Sequence, residues 1–63
     1  MKHFVAKNAK QLSTCLKMLY SEHVKFYVSI RFTDKDKIIY LVTVDVDDEM
    51  MEQLEFKYKV LIG

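Results

Sequence analysis

The sequence predicts an α+β domain of the ferredoxin-like split β-α-β type. Its element order is β-α-β-β-α-β, with two helices on one face of a four-stranded antiparallel sheet. Three observations carry that prediction. Residues 24–46 read as a long β-hairpin. A capped stretch before the hairpin and another after it space their apolar residues three and four apart, as amphipathic helices do. The chain then closes on a second alternating run, KYKVLI.

The first arm of the hairpin, VKFYVSIRF, places Val24, Phe26, Val28, Ile30 and Phe32 on one side and Lys25, Tyr27, Ser29, Arg31 and Thr33 on the other. A period of two is the mark of a strand with one buried face. After the polar turn TDKDK, Ile38, Tyr40, Val42, Val44 and Val46 form the matching row of the second arm. A one-residue slip would mix the two faces, so the pattern restricts the register. One register that keeps both rows together sets Ile30 opposite Tyr40, Val28 opposite Val42 and Lys25 opposite Asp45.

Ahead of the hairpin, residues 2–6 (KHFVA) read as a short strand with Phe4 and Ala6 inward and His3 and Val5 outward. Asn8 is a good N-cap, and Gln11 three residues on completes a variant of the capping box. The helix that starts there carries Ala9, Leu12, Cys15, Leu16, Leu19 and Tyr20 on one stripe and ends near Glu22 or His23. Beyond the hairpin, Asp47 is the expected N-cap of a second helix of two to three turns. Asp48 and Glu49 lie in its first turn, where the helix dipole favours negative charge. Val46 and Met51 occupy the positions of a hydrophobic staple, and Met50, Met51 and Leu54 supply the buried side. Residues 57–62 are expected to form the fourth strand, with Tyr58, Val60 and Ile62 inward and a strand order of 4-1-3-2. If residues 2–6 do not pair, the reading falls back to α-β-β-α-β with a three-stranded sheet.

Composition sets the class. The chain has 63 residues, enough for one domain, residues 1–63, with one modest core. A hydrophobic fraction of 51% and a single glycine argue for a folded globule rather than a disordered chain. The formal net charge of +1 supplies no global pull toward nucleic acid or anionic lipid. One cysteine, no apolar run near the ~20 residues that cross a bilayer, and no signal-peptide core predict a cytoplasmic protein that does not use a membrane.

No constellation for chemistry emerges. Cys15, His3 and His23 lack metal-ligand spacing, and Cys15 falls on the buried stripe. The acidic run from Asp45 to Glu55 lacks the EF-hand pattern and its glycine. No enzyme activity, cofactor or metal is therefore expected; a small-ligand or enzymatic role ranks third.

The functional expectation falls instead on the sheet face that the helices leave bare. Its centre is predicted to be apolar, from Val5, Tyr27, Ile39, Leu41 and Leu61, and its rim basic, from Lys25, Arg31, Lys57 and Lys59. An apolar patch with a polar rim marks a contact site. The first reading is protein contact, as a homodimer or with a larger protein. The second is single-stranded nucleic acid, with Tyr27 stacking on bases and the rim lysines meeting phosphates. Protein contact ranks higher because the centre is aliphatic and the net charge is near zero.

Overall fold

A computed structural model describes residues 2–63. The element order is β1 (Lys2–Ala6), α1 (Ala9–Ser21), β2 (Phe26–Phe32), β3 (Ile38–Val44) and α2 (Asp48–Ile62). The three strands form one antiparallel sheet in the order β1-β3-β2. β1 and β2 therefore flank β3 as the two edges, and α1 carries the chain from one edge to the other. The protein is an α+β domain with two helices and a three-stranded antiparallel sheet.

The register is the one that the sequence offered as keeping both apolar rows together, with Ile30 opposite Tyr40 and Val28 opposite Val42. β2 begins at Phe26 and β3 ends at Val44, so Lys25 and Asp45 lie one step beyond the paired segment. β1 pairs from Lys2↔Val44 to Ala6↔Tyr40. The strand expected over residues 2–6 is present.

The fourth strand is not. Residues 57–62 continue α2, which runs to Ile62 and ends at Gly63, whose N–H donates to the Lys59 carbonyl. Tyr58 lies one turn beyond Leu54, and Met51, Leu54 and Tyr58 are the buried residues of this helix. Val60, expected inward, is exposed. The physical reason is that Tyr58 also extends the helical stripe of Met51 and Leu54, and nothing before Gly63 breaks a helix. Three strands were the fallback reading, but the missing strand is the last one rather than the first.

Both helix starts follow their caps. Asn8 Oδ1 accepts the Gln11 N–H at 2.8 Å, and Gln11 Oε1 reaches back to the Lys7 N–H at 3.0 Å. Asp47 Oδ1 accepts the Met50 N–H at 2.8 Å. α1 stops in a Schellman arrangement: the His23 N–H donates to Tyr20 and the Val24 N–H to Leu19. His23 takes the left-handed conformation this requires, with φ 57°. A side chain there costs energy that glycine does not. His23→Gly is expected to raise stability by about 0.5–1 kcal/mol, read as a higher midpoint in urea unfolding.

The core is one cluster between sheet and helices. Phe4, Val42 and Val44 meet Cys15, Met18 and Leu19 of α1 and Met51, Leu54 and Tyr58 of α2. Phe4 and Tyr58 pack edge to face with ring centroids 5.5 Å apart, a geometry that the ring quadrupoles favour. Ion pairs tie Lys2 of β1 to Asp48 of α2 and Lys57 of α2 to Glu22 at the end of α1. The Lys2 pair raises the lysine pKa and lowers that of Asp48 through hydrogen bonding and charge.

Candidate functional site

The even-numbered strand residues face the helices, so the odd-numbered ones make the other face of the sheet. Across it, His3, Thr43 and Tyr27 form one rung, Val5, Leu41 and Ser29 the next, and Ile39 and Arg31 a third. Val5 and Tyr27 are exposed and Ile39 and Leu41 half-buried. Four of the five residues expected at the apolar centre thus share one surface. His3 Nδ1 and Thr43 Oγ1 are hydrogen-bonded at 3.1 Å across β1 and β3, which satisfies the one buried polar residue of that face.

Leu61 is the fifth, and it is elsewhere. It sits on α2, where it borders depressions against α1 with Thr14 and Lys17. Lys57 and Lys59 leave the rim with it, both on α2. Lys57 is engaged by Glu22. Lys25 and Arg31 remain exposed beside the face. All three displacements have one cause, the helical conformation of residues 57–62.

A second apolar surface lies where core was expected. On the helix side, exposure climbs along β2 from half-buried Phe26 through Val28 at 37% and Ile30 at 59% to Phe32 at 77%. In β3 it climbs from Val42 at 0% to Ile38 at 45%. Only the base of the hairpin lies under the helices. The five-residue β1 reaches only as far as the Tyr40 rung, so the Ile39 and Ile38 rungs extend past it.

Cys15 is fully buried, and burial pushes its thiol up to about 11, far from the thiolate that nucleophilic or metal-binding roles need. Among the described residues, no group of three or more His, Cys, Asp or Glu side chains could hold a metal ion. Asp48, Glu52 and Glu55 of α2 do form an acidic flank, beside Lys2 and His3 of β1. Among the described residues, no helix is long and apolar enough to cross a membrane. The chain matches no protein-family model, no curated protein and no solved structure.

Proposed function

We propose that this chain is a small protein-interaction module that docks through the open face of its sheet, onto a second copy or a larger protein. The supporting observation is the contiguous row of Val5, Leu41 and Ser29 across all three strands, flanked by Ile39 and Tyr27, on the face away from both helices. Its centre is aliphatic, and burying it would extend the modest core that a 63-residue chain can form. Single-stranded nucleic acid is the weaker reading, because two of the four cations expected on the rim, Lys57 and Lys59, stand on α2 and leave Lys25 and Arg31 beside the face to meet phosphates.

Leu41 is the residue to test. It is half-buried, so a lysine there can run its stem along the surface and keep its charge in water. Leu41→Lys is expected to leave the helical circular dichroism unchanged and to abolish association, measured by sedimentation and by co-purification from the native host. A wild type that stays monomeric at high micromolar concentration and brings down no partner would sink the proposal.

A further inference from the structure

The edge of β2 is chemically distinct from the open face. Among the described residues, β2 has β3 on one side and no strand on the other. The Thr33 N–H donates to the Lys37 carbonyl at the hairpin end, and hydrogen-bonded and non-hydrogen-bonded pairs alternate along an antiparallel ladder. The backbone groups of Tyr27, Ser29 and Arg31 therefore face β3. Those of Phe26, Val28, Ile30 and Phe32 point to the free edge.

Sheet edges are usually blunted by proline, an inward charge, a bulge or a cover. β2 carries no proline, its one charged residue, Arg31, lies on the open face, its helix-side row is entirely apolar, and its register runs from Phe26 to Phe32 without a bulge. The other edge differs. β1 has five residues, and α2 runs beside it, tied on by the Lys2–Asp48 ion pair.

We propose that β2 pairs antiparallel with β2 of a second copy, about a two-fold axis at Ser29, to make a continuous six-stranded sheet. The register follows from charge and overlap. Centring on Val28 sets Lys25 against Arg31, centring on Ile30 brings Lys25 against Lys35, and centring on Arg31 opposes two arginines. Like charges directly opposite are destabilising.

Centring on Ser29 avoids all three conflicts and overlaps the whole strand. It sets Phe26 against Phe32, Val28 against Ile30, and Tyr27 against Arg31, where a guanidinium can lie over a ring. The four outward backbone positions of each copy then meet each other. The exposed end of each helix-side row lies against the half-buried end of its mate, so Phe32 gains cover beside the second copy's Phe26. The contact is a single seven-residue strand from each copy, small beside the ~1,200–2,000 Å² that standard interfaces bury. Association should thus depend on concentration.

This inference does not rest on the open-face reading, and cross-linking separates the two. In the proposed register, Ser29 is a non-hydrogen-bonded pair on the axis, where Cβ atoms approach closely enough for a disulfide. Under mild oxidation Ser29→Cys is expected to form a covalent dimer. Tyr27→Cys alone should not, but an equimolar mixture of Tyr27→Cys and Arg31→Cys should. Cys15 is buried and stays out of the reaction.

Ile30→Lys, at an already exposed position, is expected to weaken dimerisation at least about tenfold with circular dichroism unchanged. Equal cross-linking of Ser29→Cys and Tyr27→Cys would overturn the register and with it the proposal. A dimer that survives Ile30→Lys but is lost in Leu41→Lys would overturn the edge and leave the open face standing. A wild type monomeric at high micromolar concentration would overturn the edge while leaving the open face a hetero-partner.

Discussion

Leu19→Ala is expected to lower the unfolding free energy by about 2–5 kcal/mol, the range for removing a buried leucine when the cavity cannot collapse. Leu19 is fully buried, in the layer where α1 meets both the sheet and α2. A domain of this length has only roughly 3–9 kcal/mol in total. The variant should therefore be partly or wholly unfolded at room temperature, visible as lost helical circular dichroism or as a midpoint moved toward zero urea. Val60→Ala is the matched control. Val60 is 66% exposed on α2, and its truncation should change stability by no more than about 0.5 kcal/mol. A strand with Val60 inward would make the two variants comparably severe, so equal losses would contradict the helix over residues 57–62.

Raising the pH is expected to destabilise the fold by about 2 kcal/mol between pH 9 and 11 through Cys15. The ordinary thiol pKa is 9.0, and burial in the folded state moves it to about 11. Below pH 9 the thiol is protonated in both states and costs nothing. Between the two values the unfolded chain releases the proton and the folded chain keeps it, so rising pH favours unfolding. Tyr58 acts in the same direction above its ordinary value of 10.0, because burial and then the charge of Cys15 raise its pKa.

Cys15→Ala should flatten the pH 9–11 part of the stability profile, measured by urea unfolding at fixed pH values. Tyr58→Phe should keep the Cys15 slope. It should also raise neutral-pH stability by about 1 kcal/mol, since the Tyr58 hydroxyl is buried with no hydrogen-bond partner among the described residues. An unchanged slope in Cys15→Ala would refute the assignment.

The elements legible in the sequence were those whose cause is local. Asn8 and Asp47 cap the helices they were expected to cap, because a cap needs only a side-chain oxygen and the backbone N–H three residues on. The alternation of VKFYVSIRF restricted the hairpin register, because a one-residue slip would have mixed the two faces, and the observed register is one that keeps the apolar rows together. The turn was also local in kind. Asp36 adopts φ 56° at the end of a three-residue loop, a conformation that aspartate tolerates in such hairpins.

Residues 57–62 are ambiguous in the sequence because six residues fit both periods: Tyr58, Val60 and Ile62 alternate, yet Tyr58 also extends the helical stripe of Met51 and Leu54. The strand reading placed Leu61, Lys57 and Lys59 on the sheet. The exposed helix-side row of β2 was missed for a different reason. Periodicity tells which residues share a face but not how much of that face another element covers.

The sequence by itself determined the caps, the hairpin and which strand residues share a face. All of these follow from hydrogen bonds and side-chain alternation among near neighbours. Only the tertiary structure decided that the last segment joins α2 and that the helices stop short of the hairpin tip. Those outcomes depend on which apolar surfaces, distant in the chain, bury one another most fully, and Val28, Ile30 and Phe32 stay exposed because no helix reaches them.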